Sequence, residues 1–358
     1  MRFPLSVLAA VSAGLALGCQ DRPLEPQSDP GAEAVSFKVK GTPSITITDL
    51  GTLGGDYSQA IGINVRGQVV GSSNTASGEY HAFVWKNGVM TDLGTMGGRA
   101  AGASAINARG QIVGTRYINE TDSRPYMWHR GVVTHLDVVP GDHEGTTTAI
   151  NVHGQIVGNS RSGSLDATEY HPLLWYRGDM TALPTLVPGW FRTHPFGIND
   201  RGQIVGRSRV SQIGAHAFLL EDGVITELVG PFGPDRDYEA HDINRHGQIV
   251  GNSANADYDA RAILWDEGAA TVLDLPPGYD RAWARAINDW GQIVGSSSFG
   301  PLSSDEIHAV LWQDGVPIDL VGLGGHPTKA LDINNRGQIV GWGMNSDGER
   351  RAILWEIK

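Results

Sequence analysis

Ile63-Asn64-Val65-Arg66-Gly67-Gln68-Val69-Val70-Gly71 decides the reading of this chain, because its pattern, Ile-Asn-x-x-Gly-Gln-[Ile/Val]-Val-Gly, occurs seven times. The asparagines are Asn64, Asn107, Asn151, Asn199, Asn244, Asn288 and Asn334, spaced 43, 44, 48, 45, 44 and 46 residues apart. A period of this length marks an array or a propeller. Within one copy, Ala60-Ile61-Gly62-Ile63 reads as a first strand and Asn64–Gly67 as a turn. Asn can bond its own backbone there, and Gly supplies a positive φ. Gln68–Ser72 returns as a second strand, and a polar loop of variable length follows. His81–Trp85 is a third strand, Asn87-Gly88 a hairpin signal and Val89–Leu93 a fourth strand. Four strands per period, all joined by hairpins, describe one blade of a β-propeller. No part of the mature chain has sustained helical periodicity.

The two ends of the repeat region favour a ring over an open solenoid. The last copy ends on its third strand, Ala352-Ile353-Leu354-Trp355. The missing fourth strand is found upstream, where Ile47-Thr48-Asp49-Leu50-Gly51-Thr52-Leu53-Gly54-Gly55 nearly duplicates Met90–Gly98. The expected fold class is all-β: a seven-bladed β-propeller of four-stranded antiparallel blades, residues 44–358, closed by the N-terminal strand completing the last blade. Closure removes free sheet edges.

Residues 1–18 read as a signal peptide, with Arg2 before the apolar run Leu5–Leu17, which is too short to span a membrane. Leu15-Ala16-Leu17-Gly18-Cys19 resembles a bacterial lipobox, which implies lipidation at Cys19. Cys19 is the only cysteine, so the mature domain has no internal disulfide or thiolate metal site. Gln20 after it, rather than Asp, favours the outer membrane by the same resemblance. Residues 19–43 are expected to be a lipid-anchor Cys and a disordered tether rich in Pro, Glu, Asp, Ser and Gly, with a reach of roughly 27 Å. Net charge is −12 with no basic run, which argues against nucleic acid. The expectation is a monomer that meets a membrane only through its lipid.

The elements Ala-x-x-Ile-Asn-x-x-Gly-Gln-Ile-Val-Gly, His81-Ala82-Phe83, His216-Ala217-Phe218 and Thr-Asp-Leu-Gly-Thr-x-Gly-Gly resemble the bacterial HAF-type extracellular repeat over roughly residues 46–355. Pro125-Tyr126 and Pro172-Leu173 depart from Ala-Phe, and Leu220 stands where six copies have Trp. The resemblance implies an exported repeat protein and no particular activity.

Residues shared by every repeat read as structural: the Asn and Gln of the inner turn, and Trp85, Trp128, Trp175, Trp265, Trp312 and Trp355 as packing between blades. His81, Arg124, His171, His216, Arg261, His308 and Arg351 share one position. They read either as hydrogen bonds to neighbouring loops or as a cationic rim for an acidic ligand. Unique residues point to three successive joining loops. The first carries Trp190, Phe191, Arg192 and His194, the second Asp235, Arg236, Asp237 and Tyr238, and the third Tyr279, Asp280, Arg281 and Trp283. Aromatic faces beside Asp and Arg suit sugar rings, or a protein partner. Alternatively, these loops only plug the channel mouth. No catalytic motif, metal motif or cofactor loop is evident. Asp235, Asp237, Glu239 and Asp280 are candidates for the acid–base groups of a carbohydrate hydrolase or lyase. The leading expectation is a binding module for a glycan or cell-envelope polymer. The alternatives are a protein-interaction scaffold of the envelope and a carbohydrate-active enzyme.

Overall fold

The computed structural model describes residues 35–37, 44–162, 169–188, 192–210, 214–233, 236–254, 259–300 and 307–358. The stretch read as a signal peptide, Cys19 and all of the stretch read as a tether except Val35–Phe37 lie outside these residues. Among the described residues every regular element is a strand. The first antiparallel run is β3 (Gly54–Ile63), β4 (Val69–Thr75), β5 (Tyr80–Lys86) and β6 (Val89–Gly94). Five separate four-stranded antiparallel sheets follow. They are β7 (Ala100–Ile106) to β10 (Val132–His135), β11 (Glu144–Ile150) to β14 (Asp179–Ala182), β15 (Thr193–Ile198) to β18 (Val224–Leu228), β19 (Asp237–Ile243) to β22 (Ala269–Val272), and β23 (Arg281–Ile287) to β26 (Val316–Leu320).

The last run is β27 (Gly324–Ile333), β28 (Gln338–Asn345) and β29 (Arg350–Ile357), and the N-terminal β2 (Ile45–Asp49) pairs antiparallel to β29 with Ile47 opposite Trp355. Outside β2 lies β1 (Val35–Phe37), a short strand within the stretch read as a tether. One parallel pair, Arg350 with Tyr57, joins the first and last runs into a nine-stranded sheet.

The repeated residues are explained by the inner turn. In the first copy, Asn64 Oδ1 accepts the backbone N–H groups of Arg66 and Gln68 at 3.0 and 3.1 Å. Asn64 Nδ2 donates to Gln68 Oε1 and to the carbonyl of Asn107 in the next sheet. The same sheet-to-sheet bond runs from Asn107 to Asn151, Asn199, Asn244, Asn288 and Asn334 in turn. Asn334 then donates to the carbonyl of Asn64 at 2.9 Å. The Gly that ends the motif is required by close approach. A Cβ on Gly71 would sit 1.9 Å from the Gln59 carbonyl, and on Gly251 1.8 Å from that of Glu239. Both lie where the inner strand carries a bulge.

Between neighbouring sheets lie apolar clusters, one of which joins Phe83 and Trp85 of the first run to Val340 and Leu354 of the last. Trp175, Trp265, Trp312 and Trp355 are buried in such clusters, each donating its indole N–H to a backbone carbonyl of the preceding joining segment. Leu220 fills the equivalent site in a cluster with Val157 and Phe218. Thus the Trp position is inter-sheet packing, as expected.

Asn334→Ala would remove the sheet-to-sheet bond to the Asn64 carbonyl, which keeps only the Gly67 N–H, and would leave the N–H groups of Arg336 and Gln338 without partners. A loss of about 2 kcal/mol is expected, read as a fall in Tm of about 3 °C by calorimetry.

Candidate functional site

Cross-strand register defines seven equivalent inner pairs: Gln59–Ser72, Gly102–Thr115, Thr146–Asn159, His194–Arg207, Glu239–Asn252, Trp283–Ser296 and Lys329–Trp342. The first three pairs are small or neutral, whereas the last four carry the aromatic and charged groups. Two residues further along the inner strands are Ile61, Ser104, Thr148, Phe196, His241, Arg285 and Leu331. Because strand side chains alternate, these two positions share a face. A cavity of about 610 Å³ opens on the chemically rich side, lined by Asp237, Glu239, His241, Trp283, Arg285, Lys329 and Trp342, with Asn252 and Ser296 behind.

The groups in it are connected. Arg207 forms an ion pair with Glu239, and Glu239 lies 3.5 Å from His241 Nε2. His241 Nε2 is 2.7 Å from Asn252 Oδ1, and His241 Nδ1 is 3.3 Å from Arg285 Nη1. An arginine can only donate, so Nδ1 accepts and Nε2–H donates to Asn252, which defines a neutral tautomer. Burial first, and the charges of Arg285 and Arg207, lower the His241 pKa to about 3, against the opposing bond to Asn252. Burial and Arg207 likewise hold His194 down at about 4.

Among the described residues neither Arg285 nor Lys329 has a carboxylate within 4.0 Å. The Arg350 guanidinium lies over the Trp342 ring, 3.8 Å from its centroid, and 5.4 Å from that of Tyr57. Lys329 sits 5.8 Å from the same Trp342 ring. Its pKa is lowered by burial, then by Arg350 and Arg285. The cavity therefore brings two cations without ion-pair partners among the described residues together with two indoles, beside Asp237 and the Arg207-paired Glu239.

Further along the inner strands, Asp242 accepts the N–H groups of Ile243 and Ile287, and Asp332 those of Ile333 and Ile63. Burial raises their pKa values to about 6 and about 7 respectively.

The joining-loop residues are dispersed. Asp237 and Trp283 line the cavity, and His194 stands one sheet away from it. Tyr238 corrects the sequence reading: it is 2 % exposed, with its hydroxyl bonded to Phe232 N–H and the Gly233 carbonyl. The bulky ring packs between sheets because position 238 is outward on β19, opposite Ser253. Arg236 is turned to Asp259 and the Phe232 ring, Tyr279 to Asp319 and His308, and Asp280 to the Gly300 N–H. Arg281 is largely buried beside Asp280, and Arg192 gives its carbonyl to Arg209. Trp190, Phe191 and Asp235 lie outside the described residues. The shared His/Arg position has the local role: His81 pairs with Asp92, His216 with Glu227 and His308 with Asp319, while Arg124 and Arg261 reach loop carbonyls.

The sequence reading missed His241, Asn252, Arg285, Lys329 and Trp342. Their signal was available, since they occupy variable positions inside an otherwise repeated frame. Among the described residues no group of three or more His, Cys, Asp or Glu is arranged to hold a metal ion, and no helix is long and apolar enough to cross a membrane.

No family model matches the sequence, and no curated protein is significantly similar to it. Solved structures similar to the chain include TolB from Acinetobacter baumannii, with 12% identity over 85% of this chain and 65% of that one and a TM-score of 0.46. A puromycin hydrolase has 13% identity over 85% of this chain and 52% of that one, with a TM-score of 0.56. A putative TolB from Agrobacterium tumefaciens has 11% identity over 88% of this chain and 98% of that one, with a TM-score of 0.45. The chain thus spans about half to two thirds of the length of the first two. At these identities the likeness concerns the fold: an all-β, propeller-like protein of four-stranded antiparallel sheets.

Because the folded pKa of Asp332 lies above its ordinary 3.8, the stability it contributes is present below that value and is lost as pH rises through about 7. The Asp332→Asn variant, which removes the titration, should show a flatter dependence of unfolding free energy on pH over that window in denaturant melts.

Proposed function

We propose that this chain is a seven-bladed β-propeller, closed by β2 on the last blade, whose inner cavity binds an acidic glycan of the cell envelope. The ring reading is supported by the pairing of β2 with β29 and by the bond from Asn334 back to Asn64. Export and anchoring at Cys19, in a protein of the HAF repeat type, are supported by the Leu15–Cys19 stretch and the single cysteine.

One observation carries the ligand class: Arg285 and Lys329 lie in one recess with Trp283 and Trp342, without carboxylate partners. Arginine matches a carboxylate with two parallel N–H bonds, and indole faces cover the C–H face of a sugar. Asn252, Ser296 and Glu239 supply acceptors and donors for hydroxyls. The cavity is within the usual size range for small-ligand sites. His241, held neutral, is a positioning group between Asn252 and Arg285 and not a proton donor at neutral pH.

Calorimetric titration of the full chain with uronic-acid oligosaccharides, beside their carboxyl-reduced counterparts, tests this. The acidic sugar should bind at least about tenfold more tightly, a difference of about 1.4 kcal/mol. Arg285→Ala should abolish that preference and Trp283→Ala should weaken both. Tyr279→Ala, at a loop turned away from the cavity, should change neither. Equal binding of the neutral sugar, or none of either, overturns the reading.

A further inference from the structure

The face opposite the long loops carries the Asn turns on the inside and, outside them, the hairpins between third and fourth strands. Each described hairpin is a two-residue turn whose first residue has a positive φ: Asn87 at 51°, Arg130 at 51°, Arg177 at 55°, Asp222 at 50°, Glu267 at 48° and Asp314 at 52°. Only Asn, Asp or Gly suits that backbone well, and long side chains there are strained. Turn chemistry therefore does not account for Arg130, Arg177 or Glu267. Their signs are sorted. With Lys86 beside Asn87, the first three hairpins present cations and the next three present carboxylates, Asp179 being the exception. Among the described residues none of these six charges forms an ion pair within the chain, and all six residues are exposed. The same hairpins hold out apolar side chains, with Val89 63 %, Val132 65 %, Val224 66 % and Val316 61 % exposed.

We infer that this face docks a second copy of the same chain. The inference rests on the ring arrangement proposed above and is independent of the glycan. A two-fold axis lying in the face and passing through the last sheet exchanges the first hairpin with the sixth, the second with the fifth and the third with the fourth. Lys86 then meets Asp314, Arg130 meets Glu267 and Arg177 meets Asp222 of the second copy, and Val89 meets Val316. Each pair occurs twice, as an isologous interface demands. A uniformly anionic surface would attract one half of the face and repel the other, whereas a second copy satisfies both.

Sedimentation velocity of the full chain tests this over a range of ionic strength. A dimer is expected at low salt, dissociating towards 1 M, where charges are screened beyond about 3 Å. Arg130→Glu alone and Glu267→Arg alone should each raise the dimer dissociation constant about tenfold or more. The double variant R130E/E267R restores opposite signs across the axis and should recover the dimer. Circular dichroism would show all three folded. A parent that stays monomeric at low salt overturns the inference, as does a double variant no better than either single one. The sugar titration reads the cavity separately, so failure of one does not imply failure of the other.

Discussion

The bond from each turn asparagine to the next turn's carbonyl is the constraint on which the rest depends. One side chain closes its own turn through Oδ1, orients the following glutamine through Nδ2 and reaches the neighbouring sheet with the same amide. All of its donor and acceptor capacity is used in a buried place, where unpaired groups are costly. The inner ends of the strands are thereby held at fixed spacing. The outer ends are free to differ in loop length, which explains why the repeat period varies while the motif does not.

That division also explains what the sequence could reveal. Asn, Gly71 and its counterparts, and the indoles answer to backbone geometry that is the same in every sheet, so repetition betrays them. Strand pairing at the chain ends was readable because the Thr48-Asp49-Leu50 segment repeats Thr91-Asp92-Leu93. The cavity is built from residues that repeat in position but not in kind. Trp283 and Asp237 were picked out for their chemistry, yet Arg285 and Lys329 sit inside strands that look like plain frame. Tyr238 drew notice as a loop aromatic and is buried because one step along a strand reverses its direction. The bulge before each inner turn shifts that alternation by one residue, and its place is not written in polarity alone.

A series of equal units gives no place a reason to be special, and specialisation appears as a departure from the repeat. Around the inner strands it is broken by size and charge: Gly102 and Thr146 on one side, Trp283 and Lys329 on the other. Around the outer hairpins it is broken by sign. The two asymmetries use different residues: the first lies on the inner strands, the second on the hairpins between third and fourth strands.

The buried carboxylates of the inner strands tie these features to stability. Asp242 and Asp332 each accept an N–H from the next sheet, so they reinforce the asparagine bonds where the lining is most polar. Their burial is only partly offset by those bonds, and Asp332 is further burdened by the charge of Asp242. Both therefore favour protonation, whereas His241 and His194 favour deprotonation. Acidification relieves the carboxylates but makes the unfolded chain, with ordinary histidines, the better proton acceptor. The opposing slopes partly cancel, so that stability varies less with pH than either set of groups alone would make it.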